Sequence, residues 1–389
     1  MTRYIVVLAF LAFVITSCSG ESEQEVFVFD PSKDYPEFPL SLSDIADVSY
    51  IKMGGAEEGI NLISLWSSGI FIDDSHGRIF ASDPGIGVME FDMTGRFLRK
   101  IGHPGRGPGE YGTANFYVQP EEEKVGVYDD GKERFLVFKY DGTFLPLEGL
   151  SKKMYVASSQ CFLIQNGNLV FFNPLSSYVR EDTGKSYSIG KRTLELIPMD
   201  GKGNAAIKDI HFENPALVSL GWGNGGRNIM SVGNLFPLYS GLAMATYRSD
   251  TTYVIGNDFS WRPFLVNVRH NGVAEGCLYP AAETKDYLFL CQQDNQQGAQ
   301  MFYFAIDKKT KQAYKITADD SCPLPGPLQG KVQIRYRGFT KNKEYRFWEF
   351  RAEDLKEECY GYLPDELKVL VDQCDEDSNP ILMIIKLKD

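Results

Sequence analysis

Short runs of β-branched and aromatic residues, alternating apolar with polar, follow one another along the chain. Asp-Gly, Thr-Gly and His-Gly pairs lie between them, which predicts strands joined by tight hairpins. One stretch of this pattern repeats. Ile70-Phe71-Ile72-Asp73, Arg78-Ile79-Phe80-Ala81-Ser82-Asp83 and Phe91-Asp92-Met93-Thr94-Gly95-Arg96-Phe97-Leu98 recur as Phe116-Tyr117-Val118, Lys124-Val125-Gly126-Val127-Tyr128-Asp129 and Phe138-Lys139-Tyr140-Asp141-Gly142-Thr143-Phe144-Leu145. The offset is 46 at Arg78/Lys124 and 47 at Gly95/Gly142. Four short strands in a unit of about 40 to 50 residues make one blade of a propeller.

Later units are more divergent. Asn168 to Phe172 and Leu194 to Gly201 predict a third blade with an insertion around 173 to 192. Ala243 to Tyr247, Thr252 to Ile255 and Phe264 to Val268 predict a fourth, and Tyr287 to Leu290, Met301 to Asp307 and Ala313 to Ile316 a fifth. Helical spacing is confined to Ala352 to Cys359 and Asp365 to Cys374. A closed ring must hide its terminal edges, so the tail Ile381 to Leu387 is expected to pair with a strand near Val48-Ser49-Tyr50-Ile51 as the sixth blade. The expected fold is all-β: a single six-bladed propeller over 38–389 with a short helical insertion near the C-terminus.

The N-terminus breaks the pattern. Arg3 precedes an uncharged apolar run, Tyr4 to Thr16, which is too short to span a bilayer as a helix and is read as a signal peptide over 1–17. Ile15-Thr16-Ser17-Cys18 resembles a bacterial lipobox, and the resemblance implies cleavage before Cys18 and a lipid on its sulfur. Polar, acidic residues follow from Ser19 to Glu25, and 18–37 is expected to be a flexible tether. Its acidic residues loosely resemble a tag that sends some lipoproteins to the outer face of the outer membrane. Composition is that of a globular protein, with 43% hydrophobic, 13% aromatic and 24% charged residues, which excludes disordered, collagenous and coiled-coil classes. The net charge of -12, with no basic stripe, argues against a nucleic-acid partner.

Several blocks carry a family resemblance over nearly the whole of the chain after Cys18: Leu42-Ser43-Asp44-Ile45-Ala46, Phe91 to Phe97 with Ile101-Gly102, Gly105-Arg106-Gly107-Pro108-Gly109-Glu110-Tyr111, Ser249 to Ile255, Ile306 to Thr310, and Ser378 to Leu382 with Lys386-Leu387-Lys388. With these, the chain resembles the six-bladed β-propeller lipoproteins of Bacteroidota, related in architecture to NHL-type propellers. The resemblance implies an envelope protein of the outer membrane, facing the periplasm or the cell surface. It implies no common reaction.

Candidate chemistry is sparse. The loop from His103 to Tyr111 is stiffened by two prolines and bent by three glycines. Arg106 and Glu110 are placed to grip a ligand carboxylate or hydroxyl, with His103 and Tyr111 beside them. The architectural reading is favoured: Arg106 and Glu110 pair with each other or with backbone to lock adjacent blades, and Tyr111 packs. Trp222 on a Gly-rich stretch offers a stacking platform for a sugar or peptide, against simple loop packing. Gly221 to Gly226 has dinucleotide-fingerprint spacing but no helix-forming sequence after it, so nucleotide binding is not expected. Asp73 to Gly77 is read as a hairpin turn rather than a calcium loop. The four histidines are scattered, no Gly-x-Ser-x-Gly elbow is present, and the six cysteines after Cys18 lack Cys-x-x-Cys spacing.

The expectation is therefore a monomeric, membrane-tethered binding or scaffolding module for a glycan, peptide or envelope protein, with no metal or cofactor. The alternative is an NHL-like lyase or a calcium-dependent lactonase with its site in the central channel.

Overall fold

The computed structural model describes residues 26–388 apart from 55–58, 63–68, 147–160, 334–341 and shorter connecting segments. Between 161 and 234 it describes mainly the backbone of the strands. The expected signal peptide and Cys18 lie outside these residues.

The repeat is a pair of blades. Ile70–Asp73, Arg78–Asp83, Gly87–Asp92 and Phe97–Ile101 form blade 1, an antiparallel four-stranded meander. Asn115–Gln119, Lys124–Asp129, Arg134–Lys139 and Phe144–Leu145 repeat it as blade 2. Blade 1 also explains why its second strand is a continuous apolar run. Ile79, Phe80 and Ala81 are all fully buried, because successive side chains enter two different cores. Ile79, Ala81, Met89 and Phe91 pack with Met53, Leu382 and Ile384 of the last blade, whereas Phe80, Val88 and Ile101 pack with Phe116, Val118 and Phe138 of blade 2.

Blade 3 is Cys161–Gln165, Asn168–Asn173, Thr193–Pro198 and Ala206–Asp209, and the expected insertion holds a hairpin of Tyr178–Arg180 and Lys185–Tyr187. Blade 4 is Gly233–Leu238, Gly241–Thr246, Thr251–Ile255 and Trp261–Asn267; blade 5 is Cys277–Glu283, Tyr287–Asp294, Gln300–Asp307 and Ala313–Ile316. The first strands of blades 2 to 5 pack side by side and line the inside of the ring. The sixth sheet has three strands among the described residues, in the order Ala46–Lys52, Ile381–Leu387, Tyr345–Phe350. Its N-terminal strand pairs antiparallel with the tail, Val48 opposite Ile385 and Tyr50 opposite Met383, as the sequence predicts. Helices Ala352–Glu358 and Asp365–Asp372 interrupt this last blade close to their expected positions.

One expectation needs correcting. The tether does not extend to residue 37, because Phe27–Phe29 adds a parallel fifth strand to the outer edge of blade 4. Phe29 is fully buried there and stacks at 5.4 Å on Tyr35. Pro36 and Phe38 then exchange backbone bonds with Lys315 of blade 5. Alternation of Phe27 and Phe29 with exposed Val28 marks this strand, but only three residues carry the signal.

Side chains reinforce the closure between the last blade and the first. Asn342 makes both amide bonds, each 2.9 Å, to the backbone of Ile72. Asp74 accepts bonds of 2.5 Å from Tyr345 and Lys386. Buried Asn379 accepts from the Leu62 N–H and donates to the carbonyls of Gly54 and Ile60, all at 2.8 Å. Gly95, at φ 84°, lets the Asp92 turn of blade 1 approach the sixth blade so closely that a Cβ would lie 2.3 Å from the Lys52 carbonyl oxygen.

Two measurements follow from this closure. Asn379→Ala should lower stability by about 2 to 3 kcal/mol, from three hydrogen bonds lost at roughly 1 kcal/mol each. Deleting 379–389 should remove the central strand of the sixth sheet and abolish cooperative thermal unfolding. A truncated protein that melts cooperatively at the native temperature would contradict this closure.

Candidate functional site

Because the strands of each blade alternate in direction, its connections alternate between two faces. Links from first to second and from third to fourth strand share one face; links from second to third strand, and those between blades, share the other. On the first face the turns are tight, as at 74–77, 120–123, 239–240, 284–286 and 308–312. The second face carries 102–114 and 210–232 between blades, the hairpin insertion at 174–192, and the helical insertion at 351–380. Long segments thus crowd one face of a frame whose other face is trimmed short.

The 103–111 loop belongs to the long-segment face. His103–Pro104 and Glu110–Tyr111 form a two-residue parallel ladder, which sets His103 opposite Glu110. Glu110 accepts from His103 Nε2 at 3.0 Å and from the Gly107 N–H at 2.6 Å. These bonds, the Gly107 amide foremost, hold the Glu110 carboxyl below the usual carboxylate range. A Cβ on Gly105 would sit 2.1 Å from Glu110 Oε2, so a larger residue there would push the Glu110 carboxylate out of this arrangement. Of the two pairings expected for Glu110, the one with backbone forms, through the Gly107 N–H, and the one with Arg106 does not. Gly107 and Pro108 turn the chain between the two residues, leaving the Arg106 side chain exposed and without an ion pair among the described residues.

Tyr111 belongs to the frame rather than to a ligand surface. It is 1% exposed; its hydroxyl donates to the Ile101 carbonyl at 2.8 Å and accepts from the Val88 N–H at 3.0 Å. Burial pushes its phenol up to about 12, with the Val88 amide acting in the opposite direction.

Blade 2 holds the loop from below through residues that belong to no recognisable motif. Lys132 Nζ donates to the Gly105 carbonyl at 2.6 Å, and the Arg134 guanidinium donates to the Glu110 carbonyl. Both cations flank the fully buried Asp129, at 3.5 and 3.7 Å. A signal for this was present, because Asp129 repeats Asp83 at the end of the second strand of the preceding blade. Asp83 in turn accepts the Gly85 N–H at 2.8 Å.

Trp222 ends the strand Val218–Trp222, which pairs with Gly226–Met230 in the connection between blades 3 and 4. Its side chain lies outside the described residues, but its place in the topology is the long-segment face, with His103 and Arg106. The same pairing sets Trp222 opposite Gly226, so the glycine-spaced segment closes a hairpin rather than opening a helix. Asp73 to Gly77 is a turn, as expected: the Asp73 carboxylate accepts from Ser75, from His76 and, at 2.7 Å, from the Tyr140 hydroxyl of blade 2. Among the described residues, no group of three or more His, Cys, Asp or Glu side chains is placed to hold a metal ion. Among the described residues, Cys322, Cys359 and Cys374 are free thiols.

The family described as 6-bladed beta-propeller matches residues 17–219, more than half of the chain. The protein belongs to that family. Among solved structures, the propeller is similar to a Bacteroides fragilis protein classed as exported, at 16% identity and a TM-score of 0.62, over 94% of this chain and 100% of that one. It is also similar to a protein of Bacteroides vulgatus at 11% identity and a TM-score of 0.47, over 88% and 97% of the two chains. A streptogramin B lyase matches at 12% identity and a TM-score of 0.33, over 70% and 88%. No curated protein matches the chain.

Tyr111→Phe should destabilise the propeller by about 1 to 3 kcal/mol, because it strands a buried carbonyl and a buried amide. In double-mutant cycles read by thermal unfolding, His103→Ala with Glu110→Ala should be non-additive, and Arg106→Ala with Glu110→Ala additive. The reverse result would restore the Arg106–Glu110 pair.

Proposed function

We propose that this propeller is an envelope lipoprotein, anchored through Cys18, that binds a glycan, peptide or partner protein on its long-segment face. The observation that carries the reading is the asymmetry of the connections. Short turns build the ring, while the inserted hairpins, the helical pair and the stiff 103–111 loop all rise on one side. Loops on a rigid scaffold are where recognition is commonly placed. On that face, His103 and Arg106 offer exposed cationic and hydrogen-bonding groups held by a braced loop, and Trp222 offers a platform for stacking. Resemblance to an exported protein of Bacteroides supports the envelope location. The lipid anchor rests on the order of Arg3, the apolar run and Cys18.

Two experiments test this reading. Cys18→Ala should shift the protein from the membrane to the soluble envelope fraction, and unchanged membrane association would remove the anchor from the proposal. In a glycan and peptide array screen, Arg106→Ala and Trp222→Ala should weaken binding at least about tenfold, the loss expected when a central contact is truncated, without lowering the melting temperature. Glu121→Ala on the short-turn face should leave it unchanged. Chemical conversion of a bound array ligand would instead favour an enzyme.

A further inference from the structure

We propose that the short turns of blades 4 to 6 rest on an anionic membrane surface, so that the long-segment face is displayed away from the lipid. The inference rests on the lipid anchor of the proposed function and adds to it a direction. Phe27–Phe29 runs parallel to Trp261–Asn267, the fourth strand of blade 4. As the fourth strand of its blade, Trp261–Asn267 runs from the short-turn side toward the long-segment face, and Phe27–Phe29 runs the same way. Lys311, in the short turn of blade 5, places its ammonium 4.5 Å from the centre of the Phe27 ring, so the start of the Phe27–Phe29 strand is within reach of the turns on that side.

Tether length makes this direction matter. The eight residues from Cys18 to Glu25 reach at most about 28 Å, whereas a domain of this size is about 50 Å across. A lipid on Cys18 therefore holds the entry edge close to the bilayer and leaves the opposite face out of reach.

The chemistry of the short-turn face agrees, sector by sector. In blades 5 and 6 it presents the exposed lysines Lys285, Lys309, Lys311 and Lys343 against Asp286 and Glu344. Lys308, next to them, is committed to buried Glu283 at 2.8 Å. Tyr239, in the short turn of blade 4, stays 47% exposed between the ammonium groups of Lys308 and Lys343, at 5.1 and 5.7 Å from its ring centre. Exposed Val26 and Val28 flank the entry. Lysines with an amphipathic aromatic ring and small apolar side chains suit the headgroup layer of anionic lipid. The same face of blades 1 and 2 carries exposed Glu121, Glu122, Glu123 and Asp141, which an anionic surface repels, so the domain leans on its blade 4 to 6 sector.

Amine-reactive footprinting of the mature protein tests this on vesicles of phosphatidylglycerol and phosphatidylcholine, with phosphatidylcholine vesicles and detergent micelles as references. On the anionic vesicles, labelling of Lys309, Lys311 and Lys343 should slow at least about threefold and recover at high salt. Lys139 on blade 2 and Lys368 on the long-segment face should keep their rates. Lys309→Glu with Lys343→Glu, both in exposed turns, should abolish the slowing at Lys311. Equal or greater protection of Lys368, or no difference between anionic vesicles and micelles, would overturn the orientation. Mass spectrometry of the N-terminal peptide separates the two claims: a peptide without lipid overturns anchor and orientation together, and a lipidated peptide with the wrong footprint overturns the orientation alone.

Discussion

Pairing between a strand from each end of the chain is the constraint on which the rest of this structure depends. Each blade is only a few strands deep and buries its faces against neighbours, so no blade is stable by itself and cores are shared between blades. Blade 1 makes this concrete: one set of its side chains completes a core with the sixth sheet and the alternate set completes a core with blade 2. Were Ala46–Lys52 to leave Ile381–Leu387, the first of these cores would lose a wall.

Charged groups then fix the angles at which neighbours meet. Fully buried Arg346 on the sixth sheet donates to carbonyls of Ala281 in blade 5 and, at 3.3 Å, of Pro237 in blade 4. Buried Glu283 accepts from Ser240 of blade 4 and from Lys308. Asp129 with Lys132 and Arg134 performs the corresponding task between blade 2 and the loop before it. Such bonds are directional where packing is not, and they leave the loops above them on a rigid base.

Much of this was legible in the residues. Strand positions, the repeat, the two helices and the pairing of Val48 with the tail follow from periodicity and from the need to hide edges. In the 103–111 loop the packing of Tyr111 and a backbone partner for Glu110 were legible, but the side-chain partner of Glu110 was not, because ladder register sets it: His103 lies opposite Glu110, and nothing in the spacing distinguishes it from Arg106. The N-terminal strand escaped because three residues at the edge of another blade leave almost no periodic trace. Asp129 escaped for a different reason, since a carboxylate at a hairpin end looks like ordinary turn chemistry until its burial is known.

Closure by both termini also orders the birth of the molecule. A chain made N-terminus first delivers Ala46–Lys52 long before Ile381–Leu387. Until then Ala46–Lys52 keeps a hydrogen-bonding edge open, and contacts of such long sequence separation form slowly. Chaperones and proteases have that interval in which to inspect the chain. A premature stop anywhere upstream of Ile381 releases a molecule that cannot hide this edge, so the architecture carries its own test of a full-length product.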